Sequence, residues 1–218
     1  MNRLVKFFKK RKCIKEYKEY LKKHQENIMK AYEEMINCRP LEWIIQDPYI
    51  KGKLFLRAIN HDMSVYDKEE FNAYRAYYYS IDDKEEEWAA SGPLEKAWEH
   101  HFKLNDHHWQ HRQYDTEFTV ETELACLENI LDWLAMGYEF GERPFEYWDA
   151  HKNVIHLPEK QKEFMERCIY QGIDAEYIEA LKEDSIKPKW AYKMSIQDYD
   201  FYIPLGEEDL KHVNVPQK

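Results

Sequence analysis

The chain has 218 residues, of which 44% are hydrophobic and 16% aromatic, with a mean hydropathy of −0.87 and a formal charge of −10. That length holds one domain with a sizeable core, and no apolar run reaches the ~18 residues of a membrane span. Six glycines in the whole chain are too few for Gly-rich phosphate loops or collagen-like repeats.

The sequence opens on a basic stretch. Residues 1–23 carry ten Lys/Arg against two Glu, a local +8 that leaves −18 for the remainder. The stretch lacks the apolar core and small-residue cleavage site of a signal peptide. It reads as a solvated helix face, or as a contact for a membrane surface or nucleic acid; the acidic remainder argues against wrapping a nucleic-acid duplex. Cys13, Cys38, Cys126 and Cys168 show neither a CxxC pair nor zinc-finger spacing, which predicts free thiols and a cytoplasmic setting.

Gly and Pro are absent from 1–39, 53–91 and 94–136 and gather at Pro40/Pro48/Gly52, Gly92/Pro93, Gly137/Gly141/Pro144, Pro158 and Pro188. Between these breaks apolar residues recur every three or four positions, the period of a helix face. Leu21, Ile28, Ala31 and Met35 line the first long helix, and Leu124, Leu127, Leu131, Leu134 and Tyr138 a later one. Asp67 followed by Glu70 resembles a capping box, and Pro93 suits a first helical turn. After Pro188 the period decays. The expectation is an all-α fold: a compact helical bundle over 1–187, led by the basic helix 1–23, then an irregular extension over 188–218.

The histidines are clustered. Five of ten fall in HHFKLNDHHWQH, at His100, His101, His107, His108 and His111. His61 is followed by Asp62, His24 interrupts the apolar stripe of the first helix, and Asp132 lies on the shoulder of an apolar helix face with Glu128 one turn earlier. Each piece alone has a bland reading: a core histidine, an ion-paired acid, a solvated face. Their order is more informative: His, His-Asp, His, His, Asp, each on a separate helix or helix end. Imidazole and carboxylate are the donors that bind first-row divalent metals, six such groups suffice for two ions, and a helical bundle converges side chains on its axis. On a continuous helix, His61 and Asp62 would diverge by about 100° and reach an ion from two directions. Asn105-Asp106 is a poor helix interior, so the ligand within His100/His101 and within His107/His108 stays open, with His101 and His107 favoured.

These stretches carry a resemblance. The order is similar to the HD-domain superfamily of metal-dependent phosphohydrolases, all-α proteins with an H…HD…D signature. It resembles most an uncharacterised phage and bacterial branch with the pattern KHxxNV, HDxSKxxxxEF, HHxxxNxHHW and DWxAMxxxFG. Here those motifs read KHQENI (23–28), HDMSVYDKEEF (61–71), HHFKLNDHHW (100–109) and DWLAMGYEFG (132–141). The resemblance covers residues 17–170. It implies metal roles for His24, His61, Asp62, one histidine of each later pair, and Asp132, with one or two divalent ions (Mn, Fe, Co, Mg or Zn).

The resemblance further implies hydrolysis of a small phosphorylated metabolite, a nucleotide being the leading choice, by metal-activated water. Asp62 would bridge the ions and orient the nucleophile, His107 or His108 would complete a second site or (His108 foremost) donate a proton, and Arg57 would contact phosphate. Glu70 would be a helix-cap partner, or else a carboxylate supporting a metal ligand from behind or a general base. Val65 stands where the branch carries Lys, which leaves the substrate and the activity open. Two other readings share the ligands: a diiron oxygenase, and a non-catalytic phage or host interaction protein retaining the fold.

Overall fold

The computed structural model describes residues 3–183; the expected extension at 188–218 lies outside them. The secondary structure of the described residues is helical throughout, without strands. It runs α1 (Arg3–Ile36), α2 (Glu42–Ile45), α3 (Pro48–Ile59), α4 (Lys68–Tyr78), α5 (Asp83–Ala90), α6 (Pro93–Leu104), α7 (Trp109–Arg112), α8 (Val120–Phe140), α9 (Pro144–His151), α10 (Glu159–Cys168) and α11 (Ala175–Lys182). Short 3-10 turns occupy Arg39–Leu41 and Met63–Tyr66, and a π turn Ile169–Ile173. No helix among them is long and apolar enough to cross a membrane, and the four cysteines are free.

The basic stretch is the first part of α1, whose 34 residues span about 51 Å at 1.5 Å per residue. Its charges are solvated: Lys12–Glu16, Lys15–Glu19 and Lys22–Glu26 pair one turn apart at 3.3–3.5 Å, each contributing a few tenths of a kcal/mol. The opposite face buries Tyr17, Leu21, His24, Ile28, Ala31 and Met35, an i/i+4/i+7 stripe.

That stripe serves two cores. Ile28, Ala31 and Met35 join residues of α3, α8 and α10 in a large core. Tyr17 and Leu21 join Val65, Ala73, Tyr74, Ala97 and Trp98 in a smaller, aromatic one, built by α1, α4 and α6. His24 lies between Leu21 and Ile28, where the two meet.

The centre of the large core is α8, and here the expectation of a single apolar face needs correction. Every residue from Leu124 to Met136 is buried, because Ala125, Cys126, Ile130, Trp133 and Ala135 are apolar on the other faces too. A helix buried on all sides is a core helix rather than an amphipathic one. Three polar residues in that stretch, Glu128, Asn129 and Asp132, are thereby carried into the interior.

Other boundaries also depart from the Gly/Pro pattern. The chain leaves α3 at Asn60 and enters α5 through Asp82, whose side chain accepts from the Glu85 amide, with no Gly or Pro at either break. Gly137 is not a breaker: it lies inside α8, and a Cβ there would collide with the backbone carbonyl of Glu142. The helix ends instead at Gly141, whose φ of 91° is the left-handed C-cap.

Candidate metal centre

Four segments deliver the polar cluster. α1 supplies His24; the turn after α3 supplies His61 and Asp62; the end of α6 and the turn before α7 supply His101, His107 and His108; α8 supplies Asp132 and Glu128. All eight are buried. His61 and Asp62 do not follow one another on a helix, as expected from their adjacency. They sit in a turn, and Asp62 adopts φ 52°, making it the one non-glycine residue with a left-handed backbone among those described. Asp tolerates that conformation better than most residues, at a cost of about 1–2 kcal/mol. The turn aims both side chains at the same point.

Around that point the donor atoms stand close together. His24 Nε2 is 3.4 Å from Asp132 Oδ1, and His61 Nε2 is 3.4 Å from Asp62 Oδ2 and 3.5 Å from Asp132 Oδ1. His101 Nε2 and His107 Nε2 are 3.4 and 3.5 Å from Asp62 Oδ1. Two ligands bonded at about 2.05 Å with tetrahedral angles stand about 3.3 Å apart, so the spacing suits a shared ion. It is long for hydrogen bonds. His24 Nε2, His61 Nε2, Asp62 Oδ1, His107 Nε2, His108 Nε2 and both Asp132 oxygens are buried without a hydrogen-bond partner. Buried polar atoms rarely go unsatisfied; these seven, gathered in one place, could hold a cation. Three overlapping ligand groups result: His24/His61/Asp62, His61/His107/Asp132 and Asp62/His107/His108.

The outer ring of contacts fixes the imidazoles. Glu128 Oε1 accepts from His61 Nδ1 at 2.9 Å, and Glu70 Oε2 accepts from His101 Nδ1 at 3.0 Å. A carboxylate cannot donate, so each ring carries its proton on Nδ1 and turns the Nε2 lone pair inward, the usual arrangement behind a metal-bound histidine. Asn105 and Ser64 add further contacts to His101 Nδ1 at 3.2 Å.

Electrostatics favour positive charge at the centre. Asp62, Glu70, Glu128 and Asp132 are four buried acids, and Arg57 pairs with Glu128 alone of these. Burial opposes protonation of His61 and His101, yet Asp62 and the acids bonded to them draw both pKa values up. Burial, reinforced by neighbouring imidazoles, holds His24, His107 and His108 below the ordinary value, His107 and His108 far below. For His24 the nearby Asp132 pulls the other way without prevailing.

The structure separates the sequence candidates. It gathers His24, His61, Asp62, His101, His107, His108 and Asp132, with His101 inward and His100 half exposed, bonded through Nδ1 to Glu70 Oε1 at 2.5 Å. Both members of the second pair face in. Glu70 is not a capping residue: Asp67 makes no side-chain cap bond, and Glu70 is wholly buried, accepting from Ser64, His100 and His101. It stands behind His101, away from a general base's position. Arg57 is not a free phosphate contact either. Its Nε donates to Glu128 Oε2 at 2.6 Å and it pairs with Asp106, so its charge is taken up behind the ligands.

Sequence reasoning missed Arg112. Fully buried, it donates to the carbonyls of Asp106 and His107 at 3.0 and 2.7 Å, to Gln161 Oε1 at 3.0 Å and to Asn129 Oδ1 at 3.2 Å. It clamps the turn that carries His107 and His108. Two of its partners are backbone carbonyls and the others come from α8 and α10, and a residue-type pattern cannot register them.

No curated protein and no solved structure matches the chain. The model of the Family of unknown function (DUF5662) matches residues 13–171, which takes in every residue of the cluster. The chain therefore belongs to the DUF5662 family.

Proposed function

We propose that this cluster is a divalent-metal centre of one or two ions, and that the protein is a metal-dependent phosphohydrolase acting on a small phosphorylated molecule. The observation that carries the reading is the convergence of seven unpartnered donor atoms from four segments on one buried point. The His, His-Asp, His, His, Asp order that resembles the HD-domain superfamily supports the choice of reaction. A bound ion would supply water acidic enough to ionise near neutral pH and would offset charge on the phosphoryl oxygens. Asp62, whose oxygens lie near His61, His101 and His107, would hold the ion or ions and orient a nucleophile. Glu128 and Glu70 hold His61 and His101 in one tautomer. Four free thiols fit a reducing compartment.

The test is elemental analysis of protein purified without chelator, paired with a panel of phosphate esters assayed with Mn²⁺, Co²⁺ and Mg²⁺. At least one metal per chain is expected in the parent. A large loss is expected in Asp62→Ala, and in Asp62→Asn, which tolerates the left-handed backbone. Equal metal in parent and variants would remove Asp62 from the site. Two irons per chain with a visible charge-transfer band would turn the reading to dioxygen activation. Less than one metal and no hydrolysis would leave a non-catalytic interaction protein.

A further inference from the structure

Beside the cluster lies a cleft with His24, His61, Asp62 and His101 in its lining. Five more of its residues are aromatic: Tyr17, Tyr20, Tyr66, Tyr74 and Trp98. Tyr17 and Tyr20 are near parallel, 13° apart with centroids at 6.4 Å, and Tyr20 continues onto the His24 ring at 12° and 6.4 Å. Tyr74 stands edge-on to Trp98 and His101 at 5.5 and 6.1 Å. These rings wall a slot that runs to the donor atoms.

Two further facts bear on what the slot takes. None of its described lining residues is Lys or Arg, and Arg57, behind His61, is committed to Glu128 and Asp106. Any anionic group beyond the one at the metal would lose its water beside buried carboxylates without a compensating donor, which is unfavourable. The Tyr74 side chain is 4% exposed and its hydroxyl has no hydrogen-bond partner. A buried donor left over among aromatic rings is the kind of polar group that orients a ligand.

We propose that this cleft takes a molecule with a flat aromatic body and a single terminal oxyanion. The oxyanion lies at the metal ligands, the body lies against the rings, and the Tyr74 hydroxyl donates to the oxyanion. The proposal rests on the metal reading for the place of the oxyanion, and on the cleft alone for the aromatic body and the intolerance of a second charge.

Calorimetric titration of the full chain, Mn²⁺-loaded and chelator-stripped, with methylphosphonate, phenylphosphonate and 4-phosphonobenzoate separates these parts. Phenylphosphonate is expected to bind at least about tenfold more tightly than methylphosphonate, since only the ring differs. It is also expected to bind more tightly than 4-phosphonobenzoate, which adds one anion. Tyr74→Phe should weaken phenylphosphonate roughly fivefold, the loss of one hydrogen bond, with metal content unchanged and thermal stability not reduced. Equal binding of phenyl- and methylphosphonate, or tightest binding of 4-phosphonobenzoate, would overturn the proposal. Unchanged binding in Tyr74→Phe would remove the hydroxyl from it. If the protein takes up no metal, the metal reading fails, while the preference among the three probes in stripped protein still decides the cleft.

Discussion

Glu128 reaches two residues of opposite purpose: Oε1 accepts from His61 Nδ1 at 2.9 Å and Oε2 from Arg57 Nε at 2.6 Å. One carboxylate on the central helix thus orients a ligand and neutralises the cation behind it. Glu128→Gln keeps the shape and removes the charge. Metal affinity should fall by about 10–100-fold, the usual cost of losing the partner of a ligating histidine, in a protein that remains folded. Competition with a chromophoric chelator measures it, and an unchanged affinity would dissociate Glu128 from the centre.

Metal occupancy should also be visible in stability. The unpartnered donors and unbalanced acids destabilise the empty fold, and an ion that binds only the native state adds stability by mass action. At a hundredfold excess over Kd this is about 2.7 kcal/mol, or roughly 5–10 °C in a domain of this size. Differential scanning calorimetry with and without chelator should show that shift in the parent. It should be much smaller in Asp132→Asn.

Gly137 tests the end of α8. A Cβ at this position would overlap the Glu142 carbonyl, which is backbone and held by the start of α9. Gly137→Ala should therefore destabilise the protein by about 2 kcal/mol or more, against the usual gain of Ala over Gly inside a helix. Gly52→Ala, where nothing lies within 4 Å, should be neutral or stabilising. Urea unfolding of both variants gives the comparison.

The Arg75–Glu85 pair supplies a pH dependence remote from the centre. Arg75 is 2% exposed and donates twice to Glu85, at 2.6 and 2.9 Å. Burial raises the Glu85 pKa, but the Arg75 hydrogen bonds, with the Ile81 amide, lower it more, so it lies below the ordinary carboxylate value. A depressed folded pKa contributes stability that is present above the unfolded pKa of about 4.3 and is lost as pH falls through the folded value. Glu85→Gln should thus destabilise at pH 7, where Arg75 is left buried without its counter-charge. The difference from the parent should shrink as the pH is lowered below about 4. Denaturant titrations across that range would show a constant difference if the pair contributed nothing.

The helical class and most of the inward donors were legible because both depend on residue type and spacing. His24 announced itself as a polar residue in the apolar stripe of α1. Within HHFKLNDHHW the sequence left two choices open, and the break at Asn105 decided them: with the helix ended there, His107 and His108 enter from a turn and both face inward. What stayed hidden depends on three-dimensional partners. Glu70 looked like a cap because Asp67 precedes it by three, yet two histidines from α6 outcompete the backbone amide for its oxygens. Arg57 looked available because Glu128 and Asp106 are remote in sequence. The constraint on Gly137 was invisible because its close neighbour, the Glu142 carbonyl, is main chain.

Because α1 runs unbroken through both cores, with Leu21 anchored in one and Ile28 in the other, His24 occupies the spine where the two halves are joined. Asp132 belongs to the large half; His101 approaches from the small one. Any bend of the spine at that residue pulls the donors out of register and opens the aromatic slot in the same movement. Were the proposed ion bound there, its retention and the shape of the slot would depend together on the straightness of a single helix.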